Sequence, residues 1–383
     1  MKILHVIPYF TPKRGGDVSV CYNITKILSK RGHDVTIITT DFELDEEYVE
    51  SLQRYGINIL IFKCIFNLNL FLYSPEMKKW VESNLKSFDL IHLHNFRSYQ
   101  NNLVHKFSLE YGIPYVLQPD GSTSRKTGKK ILKWIYDIFY GYNLIKNAKK
   151  IIAVSKEECK QDYKMGASLS DISVIYTGMD TEIFKNLPEY GEFRLKHNIS
   201  HNKMILYIGR LNRTKGIEFA IKSFEKVTNE LDDLIFVIAG YDDSNYLKEL
   251  KKLVKSLQLD NVKFLDFLTE EDKVKACVDA DVFIHTVNYM GGVGIIPLES
   301  ILCRTPVIVT EGCGELIKEL NCGSIVNYGA VEDLKYTIKY LIENPSSTQE
   351  NVEKGRKYIL ENLNWNNVLD KVEEVYEDCI YNI

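Results

Sequence analysis

Short, uniformly apolar segments alternate with helical segments along this chain, and this alternation constrains its fold more than any other feature. The first two apolar segments are Ile3–Pro8 and Val35–Thr39. The segment between them has the spacing of an amphipathic helix, with Val20, Ile24 and Leu28 on one face. Strands without a polar face must be covered on both sides, which is typical of parallel sheets flanked by helices.

The alternation continues in two series, which a polar stretch at residues 188–191 separates. The other apolar segments are, in chain order, Leu90–His94, Pro114–Leu117, Ile151–Val154, Met204–Ile208, Leu234–Ala239, Val262–Phe264, Val282–His285, Pro306–Val309 and Ser324–Val326. At roughly 150 residues per domain, 383 residues suffice for two or three domains. We therefore predict an α/β protein with two doubly wound, Rossmann-like domains, residues 1–180 and 181–364, which face each other across a cleft.

Composition and charge exclude several classes of protein. Hydrophobic residues make up 45% of the chain and charged residues 26%, which is typical of a soluble globular protein. The 48 Lys and Arg nearly balance the 52 Asp and Glu, whereas general nucleic-acid binding requires a clear basic excess. The eight cysteines include no CxxC pair, which favours free thiols in a reducing compartment. No apolar run suits an export signal or a membrane span, so we expect a cytoplasmic protein.

Ligands of open parallel sheets bind beyond the carboxyl ends of the strands. Gly15 and Gly16 follow the first strand and precede its helix, where backbone amides can approach a phosphate or a sugar. A simple tight turn explains this pair equally well. The spacing is not GxGxxG, which disfavours a dinucleotide site.

Two cations and a glutamate mark the corresponding loops of the second domain. Arg210 follows a strand and Lys215 precedes the next helix, and together they can clamp a diphosphate. Further along, Gly292 and Gly294 expose backbone donors before a helix in which Pro297 suits the first position. Glu299 then lies in the first turn, where its carboxylate can accept both hydroxyls of a ribose. The alternative is a surface acid that only compensates the helix dipole.

These residues are part of a longer resemblance. Its motifs are Gly15-Gly16, Asp89–His94, Ala153–Lys156, Gly178–Asp180, Ile183-Phe184, Gly209–Gly216, Gly294–Glu299 and Thr305–Ile308. In this order and spacing, the chain resembles family 4 (group 1) retaining glycosyltransferases of the GT-B fold over nearly its whole length. The resemblance implies a nucleotide-sugar donor on the C-terminal domain, an acceptor on the N-terminal domain, and a final helix, about 365–383, that returns to the N-terminal domain.

The resemblance also assigns roles to single residues. Arg210 and Lys215 are expected to hold the diphosphate, Glu299 the ribose, and Val293–Ile295 the sugar and phosphate. One departure is Gly291, where family members usually carry a second glutamate that contacts the donor sugar. Another is Arg304, which replaces a common helix-ending glycine: either it adopts a left-handed cap at a cost of about 1 kcal/mol, or the helix ends differently.

The N-terminal domain offers two candidate catalytic residues. Asp120 follows the strand Pro114–Leu117 and is placed to stabilise an oxocarbenium-like transition state or to orient the acceptor hydroxyl. The alternative is that Asp120-Gly121 only forms a turn. His94, near the carboxyl end of its strand, is placed to contact the acceptor, although a structural histidine fits the pattern equally well.

We expect neither a metal nor a cofactor. Asp279-Ala-Asp281 has the DxD form that binds a divalent cation in another glycosyltransferase fold. Here it precedes the strand Val282–His285, at the end away from the expected cleft, which favours capping or solvation.

The segment Arg125–Lys150 combines many basic residues with apolar ones and contains a single acid, Asp137. Basic residues beside an apolar face favour a helix that lies on an anionic membrane surface. The alternative is a surface helix whose apolar face packs on its own domain.

The sequence thus predicts a metal-independent glycosyltransferase that moves a sugar from a nucleoside-diphosphate donor with retention. Its acceptor would be a glycan or a lipid-linked sugar, in the synthesis of surface polysaccharides, glycolipids or protein-linked glycans. The alternatives are a nucleotide-sugar 2-epimerase and a non-catalytic sugar-nucleotide-binding subunit.

Overall fold

The computed structural model describes residues 1–68, 71–125, 129–242, 245–288 and 294–381. The chain divides into two compact units, Met1–Gly178 with Trp365–Ile383, and Met179–Asn364. The final helix therefore belongs to the first unit. Within the described ranges, no helix is long and apolar enough to cross a membrane.

The first unit contains a seven-stranded sheet and a separate two-stranded hairpin. Its strands are β1 (Lys2–Val6), β2 (Asp34–Thr40), β3 (Asn58–Phe62), β4 (Phe66–Leu68), β5 (Phe71–Tyr73), β6 (Leu90–His94), β7 (Tyr115–Gln118), β8 (Lys150–Ala153) and β9 (Ile172–Val174). The large sheet is parallel with the order β3-β2-β1-β6-β7-β8-β9, and β4 pairs with β5 antiparallel. The strand order reverses between β1 and β6, which is where ligands of such sheets bind.

Helices cover both faces of this sheet. They are α1 (Gly16–Lys30), α2 (Glu46–Gln53), α3 (Pro75–Asn84), α4 (Tyr99–Tyr111), α5 (Lys130–Tyr136), α6 (Tyr142–Lys146), α7 (Lys156–Lys164) and, at the end of the chain, α16 (Trp365–Tyr381). Successive strand residues alternate between two cores: Ile3 packs in the one that contains Val372 of α16, and Leu4 in the one that contains Val104 of α4. Uniformly apolar strands are thus buried on both sides.

The second unit has the same architecture with six strands. They are β10 (Lys203–Ile208), β11 (Leu234–Ala239), β12 (Val262–Leu265), β13 (Val282–His285), β14 (Val307–Thr310) and β15 (Ser324–Val326), all parallel in the order β12-β11-β10-β13-β14-β15. Its helices are α8 (Glu192–Lys196), α9 (Ile217–Thr228), α10 (Tyr246–Ser256), α11 (Glu270–Asp279), α12 (Ile295–Leu302), α13 (Glu315–Leu320), α14 (Val331–Glu343) and α15 (Gln349–Asn362). The predicted fold class, two doubly wound α/β domains, is confirmed.

Candidate active site

The loop between β1 and α1 leaves room for a ligand in front of the helix. Gly15 has φ of 111°, a conformation that favours glycine, and a Cβ added to Gly15 or Gly16 would meet nothing within 4 Å. Among the described residues, no side chain caps the start of α1. The first-turn carboxylate of Asp17 instead accepts hydrogen bonds from the Tyr9 hydroxyl at 2.7 Å and from Asn95 Nδ2 at 3.0 Å.

His94 and Asp120 meet at the carboxyl ends of two neighbouring strands. His94 ends β6 and lies beside Gln118, the last residue of β7. Asp120 follows two residues later with φ of 54°, and its Oδ2 lies 3.8 Å from His94 Nδ1. Its other oxygen accepts from Gln118 Nε2 at 2.8 Å. The structure therefore brings the two candidate catalytic residues of this unit together.

The electrostatics of this pair follow from its burial. Desolvation and the nearby charge of Asp17 raise the pKa of Asp120 well above its ordinary value. Desolvation lowers the pKa of His94 to about 3. Burial thus favours a neutral imidazole and a carboxyl that holds its proton. A positive charge that develops beside Asp120 would favour its ionised form, which suits a group that stabilises a cationic transition state.

Two further histidines and a tyrosine join His94 in a buried cluster. His5 Nδ1 lies 3.0 Å from His94 Nε2, and His92 Nδ1 lies 2.6 Å from the Tyr376 hydroxyl on α16. The rings of His92 and His94 stack with their centroids 4.2 Å apart. His94 therefore has structural contacts on one side and Asp120 on the other. His5 and His92 were not identified from the sequence as neighbours of His94. Their proximity depends on the register of β1 with β6, which pairs His5 with His92.

Within the described part of the chain, His5, Cys21 and His94 bring three atoms of metal-ligand type within 4.8 Å of one another. A metal would require a Cys21 thiolate. However, burial and the charges of Asp120 and Asp17 raise the pKa of this thiol well above its ordinary value. One hydrogen bond joins the two imidazoles through His5 Nδ1 and His94 Nε2, whereas His5 Nε2 and His94 Nδ1 are buried without a hydrogen-bond partner in the described part of the chain.

The loop after β10 holds the two candidate diphosphate ligands of the second unit. Arg210 lies two residues beyond β10, and Lys215 ends a short 3₁₀ turn that the Asn212 side chain caps by accepting from Thr214 N at 3.1 Å. Gly216 has φ of 63°, and a Cβ there would lie 2.1 Å from the Thr286 carbonyl oxygen. Only glycine fits this position. Because Gly216 has no side chain, the loop can pack closely against the end of β13.

The positive charge of Lys215 affects the pKa values of residues at the ends of β13 and β14. Burial, and after it the charge of Lys215, lowers the pKa of His285 to about 3. Burial raises the pKa of Cys313 to about 12, with Lys215 opposing this shift. A Cβ on Gly294, which precedes Ile295 at the start of α12, would lie 3.6 Å from Cys313 Cβ. The structure thus brings the Lys215 loop and the start of α12 to the same strand ends, whereas Gly291, Gly292 and Val293 lie outside the described residues.

Glu299 is placed differently from the prediction. The helix begins at Ile295, so Pro297 is its third residue and Glu299 its fifth, beyond the first turn. Proline is tolerated there because the first amides of a helix have no intrahelical partner. The alternative of a surface acid is also wrong, since Glu299 is only 9% exposed.

Lys273 of α11 holds the buried Glu299 carboxylate. Its Nζ donates to Glu299 Oε1 at 2.8 Å and also pairs with Glu270 at 2.7 Å. Burial raises the pKa of Glu299, and Lys273 opposes this shift. Oε2 has no hydrogen-bond partner in the part of the chain that the structure describes. A buried, unpartnered carboxylate oxygen is suited to accept hydroxyls from a ligand.

Two other sequence features have structural explanations. Asp279 accepts from the amides of Gly191 and Arg194 at the start of α8, at 2.5 and 2.9 Å, and Asp281 binds Arg194 and Lys203. The DxD-like pair therefore caps a helix and neutralises cations. Arg304 adopts the left-handed conformation, with φ of 67°, so the first of the two predicted endings of α12 is the observed one.

The apolar face of α5, which lies in the basic segment Arg125–Lys150, is exposed to solvent. Exposed apolar side chains extend through this helix and the π turn that follows it; they are Ile131, Leu132, Trp134, Ile135, Ile138, Phe139 and Tyr140. The single acid, Asp137, is buried and ion-paired with Arg97 at 2.8 Å and Arg125 at 2.5 Å. The prediction that this face packs on its own domain is therefore wrong for α5 and the π turn.

Comparison with known proteins then decides the family. Residues 14–183 match the family described as Glycosyltransferase Family 4, and residues 190–358 match Glycosyl transferases group 1. The chain belongs to the group 1 glycosyltransferases. This glycosyltransferase is 23% identical to an uncharacterised glycosyltransferase of Methanocaldococcus jannaschii, with 99% of both chains covered. It is 22% identical to the phosphatidyl-myo-inositol mannosyltransferase of Mycobacterium leprae, covering 98% of this chain and 96% of that one.

Several solved structures share its fold. Anabaena HepE, solved in complex with UDP, is similar with a TM-score of 0.83 and 20% identity, over 99% of this chain and 100% of that one. A glycosyltransferase from Rickettsia africae is similar with a TM-score of 0.79 and 21% identity, over 100% and 99% of the two chains. The glycosyltransferase has the GT-B fold.

Proposed function

We propose that this glycosyltransferase moves a sugar from a nucleoside-diphosphate donor to a glycan or lipid-linked acceptor with retention of configuration. The observation that carries the proposal is the placement of Arg210 and Lys215 on a loop beyond β10, which Thr286 holds at the end of β13 by donating from Oγ1 to the Lys215 carbonyl oxygen at 3.1 Å. The complexes of HepE with UDP and UDP-glucose support the choice of donor. The process it serves would be the synthesis of a surface polysaccharide, a glycolipid or a protein-linked glycan.

The donor chemistry follows from the second unit. Arg210 and Lys215 bind the diphosphate and stabilise the negative charge that grows as it leaves. Because two cations already neutralise that charge, transfer proceeds without a metal and is insensitive to a chelator. Gly294 and Ile295 present backbone amides at the start of α12, and Glu299 accepts the ribose hydroxyls.

The acceptor chemistry follows from the first unit. Asp120 stabilises the oxocarbenium-like transition state, and His94 orients the acceptor hydroxyl beside it. The open backbone at Gly15 and Gly16 completes the donor contacts from this unit. This assignment gives a function to a buried carboxyl whose burial opposes its ionisation.

Glu299→Gln is expected to weaken nucleoside-diphosphate binding by roughly 10-fold, because a neutral amide loses charge-assisted acceptance from the ribose. Isothermal titration calorimetry measures this affinity. Glu270→Gln is the matched control: it removes the other, exposed partner of Lys273 and should leave the affinity unchanged. Equal affinities of wild type and Glu299→Gln would remove Glu299 from the site.

The exposed face of α5 supports a lipid-linked acceptor at an anionic membrane surface. We expect the double variant Lys129→Glu and Lys130→Glu to reduce vesicle co-sedimentation by roughly 10-fold or more at about 0.1 M salt, since each cation contributes about 1 kcal/mol. The difference should vanish at about 1 M, where the screening length falls to about 3 Å. Lys133 is left unchanged because its ammonium donates to the Ser124 carbonyl.

The charge control reverses Lys251 and Lys252 on α10 of the second unit. Both are exposed, so this variant changes the net charge equally without touching the proposed surface. It should bind anionic vesicles like the wild type. If both variants lose binding to the same extent, the attraction is unspecific and α5 is not the contact.

A panel of nucleotide sugars tests the donor proposal without knowledge of the acceptor. A true donor raises the melting temperature as its concentration exceeds its dissociation constant. Transfer or slow hydrolysis of that donor distinguishes the transferase from a non-catalytic subunit, and release of a free C2 epimer would identify the epimerase instead.

A further inference from the structure

The hairpin formed by β4 and β5 exposes an apolar face to solvent. Leu68 pairs with Phe71 and Phe66 with Tyr73, and directly paired residues project to the same face. These four side chains therefore form one face, while Leu72 is buried on the other. Phe66 is 55% exposed and Leu68 is 62% exposed. A solvated hairpin face is normally polar, and this one is wholly apolar or aromatic.

The hairpin lies beside α5 on a common support. The rings of Phe71 and Tyr73 meet the ring of Tyr99 edge-on, with centroids 5.3 and 5.1 Å away. The Tyr136 hydroxyl of α5 donates to Asn102 Oδ1 at 2.6 Å. Tyr99 and Asn102 are three residues apart in the first turn of α4 and so share one face of that helix. The two exposed apolar elements thus flank the same helical turn.

The charged residues around the hairpin and α5 indicate what covers the surface that these two elements form together. No Asp or Glu occurs from Asn58 to Pro75, and the one ionised side chain there, Lys63, is exposed. Lys129 and Lys130, at the start of α5, are exposed, whereas Asp137, in the π turn that follows α5, is buried. A second copy of this chain would bring the same cations against one another across a two-fold interface. An anionic bilayer instead offers negative headgroups to the lysines and an apolar interior to the phenylalanines.

We propose that the β4–β5 hairpin is a second membrane-inserting element, which docks on an anionic bilayer together with α5. The inference rests on the proposed membrane contact of α5 and adds a separate contribution to it. The lysines of α5 attract the surface electrostatically, whereas the hairpin buries apolar side chains among the lipid chains. Membrane binding should consequently have a component that salt does not screen.

The test compares the double variant Phe66→Ser and Leu68→Ser with wild type by co-sedimentation with phosphatidylcholine vesicles that contain phosphatidylglycerol. Removal of two inserted side chains is expected to weaken binding by roughly 10-fold or more, at both about 0.1 M and about 1 M salt. This pattern differs from that of the lysine variant, whose defect disappears at high salt. The matched control changes Leu169 and Leu195 to Ser, two leucines that are 59% and 83% exposed elsewhere. It should bind like the wild type.

Two further measurements separate the possible failures. The nucleotide-induced rise in melting temperature must be the same in all variants, which shows that the fold and the donor site are intact. If wild type binds vesicles and the hairpin variant binds equally well, the hairpin proposal is overturned while the α5 contact stands. A different outcome is that the wild type does not bind vesicles and sediments as a dimer, while the hairpin variant sediments as a monomer. In that case a second copy covers this face and the proposal is wrong.

Discussion

Asp120→Asn is expected to lower sugar transfer by about 10²- to 10⁴-fold while raising the melting temperature. Transfer falls because an amide beside His94 supplies no negative charge to the transition state. Steady-state transfer rates and thermal melts measure the two effects. A buried group whose loss improves folding and abolishes activity is the signature of a functional residue.

The stability effect has a definite pH dependence. An aspartate in the unfolded chain ionises near pH 4. Burial and Asp17 raise the pKa of Asp120 in the folded protein. Between these two values the folded state binds more protons than the unfolded state, so the free energy of unfolding falls as pH rises. The amide introduced by Asp120→Asn is neutral in both states, so the free energy of unfolding of the variant does not fall with pH for this reason. Each 1 kcal/mol of unfolding free energy that the variant keeps raises the melting temperature by about 2–4 °C.

Asp162 provides the matched control for Asp120. It is a buried carboxyl of the same unit that accepts from the Thr123 hydroxyl, and burial together with Glu158 raises its pKa. Asp162→Asn should likewise improve stability at neutral pH but leave transfer unchanged. Near-native transfer by Asp120→Asn, or equal losses in both variants, would show that Asp120 only forms a turn.

Arg210→Ala and Lys215→Ala are each expected to lower transfer by about 10- to 100-fold. Each removes one charge-assisted contact to the diphosphate, worth roughly 1.5–3 kcal/mol. The loss should appear in kcat as well as in the donor KM, because the negative charge on the diphosphate grows in the transition state. Initial rates at varied donor concentration give both constants.

Arg213 serves as the control for these two cations. It lies in the same turn but is exposed and pairs with Glu249 and Glu218. Arg213→Ala should therefore change the rate little. Near-native kinetics for both Arg210→Ala and Lys215→Ala would remove the loop from the donor site.

Most of the parallel strands were predictable from the sequence because burial on both faces leaves an uninterrupted apolar run. The bounds of β6, β11, β13 and β15 agree with the predicted segments. The strands β3 and β9 and the β4–β5 hairpin were missed. In the run from Ile57 to Tyr73, the partly buried strand β3 is followed after three residues by a hairpin whose exposed face is also apolar, so composition does not mark the boundary.

The candidate site shows a similar limit. Residues at strand ends, such as His94, Asp120 and Arg210, were predictable because the topology places strand ends together. Their partners were not, since Lys273 reaches Glu299 from another helix and Tyr376 reaches His92 from the end of the chain. The third-position placement of Pro297 also shows that a proline signals the start of a helix only to within its first turn.

Phosphorus NMR of the purified protein with a panel of nucleotide sugars tests the central claim most directly. The mixture contains anionic vesicles that carry extracted glycolipids as acceptors. We expect the diphosphate signals of one donor to be replaced by those of the free nucleoside diphosphate, faster with the acceptor present and about 10- to 100-fold slower with Arg210→Ala. If every donor remains intact, or if the sugar is released as its free C2 epimer, this chain is not the glycosyltransferase proposed here.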